Sequence, residues 1–348
     1  MYNIIDLFCG IGGFSYGFEM TKKFKTLLGV DFWDTALNTF KFNHPGTSVL
    51  QGDIRELKEN FLKKYIGKVD VIIAGPPCQG FSMAGRREIL DERNNLFKEV
   101  IRIVNIVKPK IVIIENVVGL LSMTTPDGEY VKDVIISELE DMGYKATFKV
   151  LIASEYGVPQ NRKRVIFIAS LLENVSFPLS QFGENKKPVV TVGEAIDNIP
   201  NVGTQYLKPS NEYQMRMSGR KDIINHEPIN HADLIIKRMH SVPQGGNWKD
   251  IPMELGQGGG MHSNNYRRLK SDEPSITIKH VSKSMIIHPI YDRTPTVREV
   301  ARIQSFNDDF VLTGTKYDQY QQLANAVPPI LGKAIADNVL EMLGDYND

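Results

Sequence analysis

The chain has 348 residues, 41 basic and 41 acidic side chains, and two cysteines. This length allows one large or two moderate domains with a sizeable core. Two cysteines argue against a disulfide framework, and their spacing fits no zinc site, so no metal is expected. Without a long apolar stretch or a signal peptide, the sequence predicts a cytoplasmic protein that does not enter a membrane.

Short apolar runs alternate with amphipathic segments in the first half of the chain, which is typical of a parallel α/β sheet. The predicted strands are residues 3–8, 26–30, 48–51, 69–74 and 111–115, and the predicted helices are 35–43, 94–107 and 130–142. Residues 145–153 and 164–170 are joined by a short Gly-Val-Pro turn and predict a closing antiparallel pair.

After residue 170 the alternating pattern ends. Scattered prolines and glycine-rich loops at 243–246 and 256–260 predict an irregular, loop-rich second domain, and a helical pattern returns at 317–343. We therefore predict a doubly wound, mostly parallel sheet domain from residues 1–180 and 315–348. Residues 181–314 would form the smaller domain.

Three successive predicted strands end in residues suited to a bound cofactor. A glycine-rich turn at residues 10–13 follows the first strand, where a doubly wound sheet admits a ligand. Asp31 ends the second strand and can accept hydrogen bonds from ribose hydroxyls, while Phe32 can stack on adenine. Asp53 follows the third strand and can accept from an adenine amino group. Each acid alone could be a turn or N-cap residue, but together they favour S-adenosyl-L-methionine (AdoMet).

One cysteine lies in a stiff turn, GPPCQGFS at residues 75–82, directly after the fourth predicted strand. A lone cysteine is often a small buried hydrophobe, but the two prolines and the glycine indicate a shaped loop here. Glu115 ends the next strand. A thiol at Cys78 and a carboxylate on a neighbouring strand end predict a covalent nucleophile with an acid partner.

The chain resembles the cytosine-C5 DNA methyltransferases of bacterial restriction-modification systems in six short motifs that follow family order. The motifs are DLFCGIGGF at 6–14, GPPCQGFS at 75–82, ENV at 115–117, QNRKR at 160–164, REVARIQSF at 298–306 and NAVPP at 325–329. They span most of the chain except residues 175–290. One departure is Ala324, where the family usually has glycine.

The resemblance implies a Rossmann-like fold of the AdoMet-dependent methyltransferase type and transfer of a methyl group to C5 of cytosine in double-stranded DNA. Cys78 would attack C6 of the base, Glu115 would protonate N3, and Arg164 would contact O2. Arg162 and Arg164 could supply the positive surroundings that a thiolate needs. The predicted cofactor residues are Phe8, Gly10, Gly12, Gly13, Asp31, Phe32, Asp53, Ile54, Pro76, Asn325 and Val327.

A DNA-reading region is expected in the second domain, with a basic loop near the catalytic cysteine. Between Gly203 and Arg298 there are 14 Lys and Arg against 9 Asp and Glu, a modest excess that a phosphate backbone could feel. Gln257 could fill the gap left by a flipped base, and the loops around it could read the major groove. The predicted DNA-binding residues are Ser82, Arg86, Arg93, Gln257, Thr277, Lys279 and Lys283.

Two other functions stay open at this point. An RNA cytosine-5 methyltransferase could share the same fold, and a catalytically silent partner could bind nucleic acid and regulate a sister enzyme. The loop-rich, basic second domain favours DNA, and an intact Cys78 argues against a silent partner. We expect a monomer.

Overall fold

The computed structural model describes residues 1–77, 96–172, 174–256 and 264–344, and within them seven strands form one sheet. The strands are β1 Tyr2–Leu7, β2 Phe24–Asp31, β3 Ser48–Gln51, β4 Val71–Ala74, β5 Ile111–Asn116, β6 Lys145–Ile152 and β7 Lys163–Ser170. Their order across the sheet is β3-β2-β1-β4-β5-β7-β6, with β1 to β5 parallel and β7 antiparallel to both β5 and β6. The predicted fold class is confirmed, including the closing antiparallel pair.

The described chain forms two compact units. The first takes in residues 1–152, 163–179 and those from 329 on, and the second takes in 153–162 and 180–328. These limits differ from the predicted ones because residues 153–162 and 315–328 lie in the second unit. The first of these segments pairs there with residue 275, and the second packs there through Leu323, whose carbonyl accepts a hydrogen bond from Gln304.

The first unit is built around the sheet, with helices at its connections. Its helices are α1 Gly13–Glu19, α2 Asp34–Asn43, α3 Glu59–Lys63, α4 Leu96–Val107, α5 Val131–Asp141 and α12 Pro329–Met342. Every residue of β4 and β5 is buried, as expected for parallel strands covered on both faces. Helices α1 and α12 approach closely, since a β-carbon on Gly17 would lie 2.4 Å from the carbonyl oxygen of Pro329.

Where the structure describes it, the second unit consists of short helices among long loops. They are α6 Val192–Ile196, α7 Glu212–Met217, α8 Asp233–Ser241, α9 Val281–Ser284, α10 Val297–Ile303 and α11 Lys316–Asn325. Among the helices of the described ranges, none is long and apolar enough to cross a membrane.

Buried arginines hold the loops of the second unit together. Arg298 is fully buried and donates to the carbonyl oxygens of Ile224, Asn307 and Phe310. Arg302, equally buried, pairs with Asp308 through Nε and Oδ1 at 2.6 Å. Each guanidinium has its hydrogen bonds satisfied by loop carbonyls or a carboxylate, which offsets the cost of burying a charge.

The basic excess of the second unit is therefore partly internal. Arg268, Arg293 and Arg298, all within the stretch counted above, are at most 8% exposed. Arg268 donates to the carbonyl oxygens of Met239 and Val242. The charge that a DNA backbone can meet on this unit is thus smaller than the sequence count indicates.

A buried acid, Asp6, lies near the end of β1. It is 2% exposed, and its Oδ2 accepts no hydrogen bond from the described part of the chain. Burial raises the pKa of Asp6 to about 8, hydrogen bonding with Ser15 opposes the rise, and the negative charges of Asp31 and Glu19 add to it. In the folded protein Asp6 therefore keeps its proton at pH values where the unfolded chain has lost it.

We predict that Asp6→Asn changes the pH dependence of stability. Between about pH 4 and pH 8 the folded state holds a proton on Asp6 that the unfolded state releases, so the contribution of Asp6 to the free energy of unfolding falls as pH rises, by up to about 1.4 kcal/mol per pH unit. Asparagine removes this slope. In denaturant unfolding between pH 5 and pH 8, the stability of the variant relative to wild type should increase steadily with pH.

The matched control is Asp127→Asn, which makes the same chemical change at an exposed turn residue. Its curve should run parallel to the wild-type curve. Asparagine at position 6 can shift the whole curve by a constant amount, so the slope is the readout. Parallel curves for Asp6→Asn and wild type would show that Asp6 is ionised in the folded protein.

Candidate active site

The candidate site lies at the carboxyl ends of four parallel strands, which the sheet holds in register. Leu7 pairs with Val30 on one side and with Ala74 on the other, and Ala74 pairs with Ile114. The next residue of each strand is therefore brought to the same edge of the sheet. Those four residues are Phe8, Asp31, Gly75 and Glu115.

Gly75 lies at the centre of this edge and begins the loop that leads to the cysteine. Its backbone N–H donates to the carbonyl oxygen of Leu7 at 3.1 Å. A β-carbon on Gly75 would lie 3.7 Å from Oε2 of Glu115 and 4.0 Å from the carbonyl oxygen of Phe8. The predicted acid, the predicted cofactor loop and the start of the cysteine loop are thus neighbours.

Asn116 holds this loop in place. Its Nδ2 donates to the carbonyl oxygen of Pro76 at 3.0 Å, across 40 residues of sequence, and the side chain is 4% exposed. No role was predicted for Asn116 from the sequence, although it is the second residue of the ENV motif. Pro76, predicted as a cofactor residue, lies in this loop, and Cys78 lies outside the described residues.

Glu115 and Arg164 form an ion pair in the first unit. Nε of Arg164 lies 2.6 Å from Oε1 of Glu115, and both side chains are about nine-tenths buried. Nη1 of Arg164 also donates to the carbonyl oxygen of Lys163. Two predicted catalytic residues are therefore in direct contact, and the guanidinium fixes the orientation of the carboxylate.

The glycine-rich loop between β1 and α1 has an unusual backbone. Phe8, Gly10 and Gly12 all have positive φ angles, of 59°, 52° and 82°. A left-handed conformation at a non-glycine residue such as Phe8 costs roughly 1–3 kcal/mol and tends to occur at ligand sites. A β-carbon on Gly10 would meet no atom within 4 Å, so the backbone there borders open space. Gly13 begins α1.

Asp31 supports this loop from the neighbouring strand. Its Oδ2 accepts from the backbone N–H of Gly10 at 2.8 Å and its Oδ1 from that of Trp33 at 2.9 Å. Burial raises the pKa of Asp31, while backbone hydrogen bonds from Trp33, Gly10 and Phe32 oppose the rise. Phe32 next to it is 70% exposed, although aromatic rings usually bury themselves.

These residues fit AdoMet. The exposed aromatic ring can stack on adenine, and the acid at the end of the second strand can accept hydrogen bonds from ribose hydroxyls. The open glycine backbone lets a ligand approach closely.

Asp53 and Ile54 lie at the end of the third strand. Asp53 caps the turn at Ile54–Glu56 and pairs with Arg55, whose hydrogen bonds lower the pKa of Asp53, and Ile54 is buried. Asp53 is therefore an N-cap residue in this structure, which was the alternative considered for it. Its contact with the adenine of AdoMet stays a prediction.

Other predicted residues lie in the second unit, and there Arg162 is joined to the last motif. Arg162 is 1% exposed, and its Nη2 donates to the carbonyl oxygen of Ala324 at 3.1 Å. Asn325, next to Ala324, is exposed, and its Oδ1 accepts from Gln321. Val327 is 8% exposed. The catalytic role of Arg162 and the cofactor contacts of Asn325 and Val327 stay predictions.

Thr277 and Ile278 of the second unit contact the segment that contains Arg162. Oγ1 of Thr277 donates to the carbonyl oxygen of Asn161 at 3.1 Å, and the backbone N–H of Ile278 donates to Oε1 of Gln160 at 3.3 Å. Lys279 and Lys283 are exposed. The predicted DNA-binding residues Ser82, Arg86, Arg93 and Gln257 lie outside the described residues. Within the ranges that are described, no group of three or more His, Cys, Asp or Glu side chains could hold a metal ion.

Comparisons with known proteins show the family of the chain. The family model for C-5 cytosine-specific DNA methylases matches residues 2–341. The chain is 38% identical to the Type II methyltransferase M.DdeI of Desulfomicrobium norvegicum, over 97% of this chain and 88% of the relative. It is 40% identical to the Type II methyltransferase M1.HphI of Haemophilus parahaemolyticus, over 97% and 86% of the two chains.

Solved structures show the same fold at lower sequence identity. A protein described as a DNA modification methyltransferase of an Escherichia coli prophage has a TM-score of 0.80 at 24% identity, covering 99% of this chain and all of the other. The Dnmt2 methyltransferase of S. pombe has a TM-score of 0.67 at 16% identity, covering 98% and 99%.

The fold and the site together define an α/β methyltransferase whose methyl donor is AdoMet. The chain belongs to the C-5 cytosine-specific DNA methylase family and is a DNA cytosine-5 methyltransferase.

We predict that Asp31→Ala weakens AdoMet binding more than it slows methyl transfer, since its contacts are the same in the ground and transition states. Loss of hydrogen bonds to a charged acceptor costs about 1.5–3 kcal/mol, or roughly 10- to 150-fold in affinity. Calorimetry gives the dissociation constant, and Asp34→Ala, which removes an exposed neighbouring carboxylate, is the control. An affinity equal to wild type would show that Asp31 neither contacts AdoMet nor holds the loop in its ligand-binding shape.

Proposed function

We propose that this enzyme methylates C5 of a cytosine flipped out of a specific double-stranded DNA sequence, through a covalent bond between Cys78 and C6 of the base. The observation that carries the proposal is the position of Gly75. It begins the cysteine loop and lies against both the Glu115 carboxylate and the first residue of the cofactor loop. A thiolate, an acid and a methyl donor would therefore meet above one edge of the sheet.

The chemistry requires a nucleophile because C5 of cytosine reacts too poorly with a methyl donor on its own. The Cys78 thiolate forms a bond to C6, and the electrons of the C5–C6 double bond move into the ring. Glu115 takes up a proton from solvent before this step and gives it to N3, which removes the developing negative charge and leaves an enamine with a nucleophilic C5. Arg164 holds the Glu115 carboxyl group in its orientation through their ion pair.

AdoMet, when bound, would supply an electrophilic methyl group, and breaking of its S–CH3 bond would leave S-adenosylhomocysteine as the product. The glycine loop, Asp31 and Phe32 bind and orient it beside the base. After C5 carries the methyl group, a base removes the C5 proton, the C5–C6 double bond forms again and the Cys78 thiolate leaves. N3 then returns its proton to Glu115, and both protein groups are ready for another cycle.

None of these side chains can reach a base inside a duplex, so the target cytosine must leave the helix. We assign DNA reading to the second unit, with Thr277, Lys279 and Lys283 as candidates among its described residues. Ser82, Arg86, Arg93 and Gln257 stay candidates from the sequence. A modification enzyme that protects DNA from a cognate nuclease fits the Type II relatives. The monomeric state and the cytoplasmic location stay predictions.

We expect Cys78→Ser to abolish methyl transfer and to leave the binding of AdoMet and DNA largely intact, because a hydroxyl is a far poorer nucleophile than a thiolate at neutral pH. Transfer of tritium from labelled AdoMet to duplex DNA, with transfer RNA as the competing substrate, measures the activity and its preference. Duplex DNA containing 5-fluorocytosine should trap the wild-type chain as an adduct on Cys78. An adduct on Cys9, or turnover by Cys78→Ser, would contradict the assignment.

We expect Glu115→Gln to slow single-turnover methylation by about 10²–10⁴-fold with little change in DNA affinity, because an amide can hydrogen-bond the base but cannot donate a proton to N3. Glu129→Gln, at an exposed turn, is the control for loss of a carboxylate. If Glu115→Gln weakened DNA binding and left the single-turnover rate unchanged, Glu115 would be a recognition residue.

A further inference from the structure

A buried histidine, His44, lies at the end of α2 and belongs to none of the motifs above. It is the residue after Asn43, and its side chain is fully buried. The hydrogen-bond partner of that side chain, Glu19, is 25 residues away in the sequence. The mechanism does not use it. Its surroundings nevertheless connect it to the cofactor loop.

One ring nitrogen of His44 is anchored by Glu19, the last residue of α1. Nδ1 lies 2.8 Å from Oε2 of Glu19, whose Oε1 accepts from Oγ1 of Thr26 on β2 at 2.6 Å. Burial opposes ionisation of Glu19, but hydrogen bonds from His44 and Thr26 outweigh it and lower the pKa of this carboxyl group. An ionised carboxylate can only accept, so Nδ1 of His44 carries the hydrogen and donates it.

The other edge of the ring packs against Gly12 of the cofactor loop. A β-carbon on Gly12 would lie 2.2 Å from Nε2 of His44 and 2.7 Å from Cδ2 of Phe40. Nε2 is buried and has no hydrogen-bond partner among the described residues. The ring is stacked on Phe40, with centroids 4.2 Å apart, and its edge faces Tyr16 at 5.9 Å. His44 is therefore held on three sides and has the α-carbon of Gly12 on the fourth.

The two central glycines of the loop have different surroundings. Gly10 borders open space, whereas Gly12 is in contact with the His44 ring. Gly12 has a φ of 82°, its N–H donates to the carbonyl oxygen of Cys9, and its own carbonyl accepts from Tyr16. The loop thus has one residue free to approach a ligand and another supported from within the protein.

We propose that His44, anchored by Glu19, is a positioning residue for AdoMet that acts through Gly12 to hold the loop in its ligand-binding conformation. The inference rests on the assignment of the loop to AdoMet in the proposed function. A loop already held in its bound shape spares the ligand the cost of ordering it. Removal of the ring should therefore lower affinity for AdoMet and leave the rate with bound AdoMet unchanged.

The experiment measures AdoMet binding by calorimetry on the full chain without DNA, alongside kcat at saturating AdoMet. His44→Ala should raise the dissociation constant about tenfold or more and change kcat by less than about threefold. His44→Asn keeps a donor where Nδ1 stands and should bind AdoMet with intermediate affinity. If His44→Ala does not fold, the affinity of His44→Asn for AdoMet tests the proposal in its place.

A double-variant cycle with Gly12 tests the contact itself. Gly12→Ala alone places a methyl group against Nε2 of His44 and strains the left-handed backbone, so AdoMet affinity should fall. Adding His44→Ala to that variant removes part of the clash. The combined loss of affinity should therefore be smaller than the product of the two single losses.

Ile135→Ala is the matched control for loss of core packing, since Ile135 is fully buried in α5 of the same unit. It should lower thermal stability and leave AdoMet affinity unchanged. The proposal is overturned if Ile135→Ala weakens AdoMet binding as much as His44→Ala, if His44→Ala lowers kcat with an unchanged dissociation constant, or if the cycle is additive. If Asp31→Ala weakens binding and His44→Ala does not, only the His44 inference fails. If neither Asp31→Ala nor His44→Ala weakens binding, both the His44 inference and the assignment of the loop to AdoMet fail.

Discussion

The site depends on the hydrogen-bond register of the parallel sheet. Because Val30, Leu7, Ala74 and Ile114 lie in one row across four strands, the residue that follows each of them emerges at the same edge. A shift of one residue in any strand would turn its side chains to the opposite face and separate the acid from the cysteine loop. The register is secured by the complete burial of β4 and β5, where a shifted strand would expose or misplace its apolar side chains.

The sequence predicted the first unit well because its structural signals are local. An apolar run such as residues 71–74 has few ways to be buried other than as a central parallel strand, and the observed β4 lies within the predicted one. The second unit offered no such signal. Arg298 and Arg302 are charged residues, which are usually exposed at the surface of a protein. Both are fully buried here and hold the loops together through backbone carbonyl groups and Asp308. Such burial depends on partners that are distant along the chain.

The same distinction applies to the site. Asp31 and Glu115 were predictable because position at a strand end is a property of the strand itself. Their supports in the first unit were not: Asn116 holds a carbonyl 40 residues away and His44 a carboxylate 25 residues away. Each of these contacts exists only once the fold has formed. The groups predicted to face a ligand could therefore be proposed from the sequence, whereas the contacts of Asn116 and His44 could not.

The contact between α1 and α12 has a consequence for how the protein is made. Gly17 packs on the backbone of Pro329 and Gly332, so α1 is covered by a helix that is synthesised much later. About 310 residues lie between Glu19 at the end of α1 and Pro329 at the start of α12, and at about 5–20 residues per second their translation takes roughly 15 to 60 s. During that interval the apolar face of α1 lacks its cover. A nascent chain on the ribosome therefore cannot complete the packing of the first unit until α12 has been synthesised.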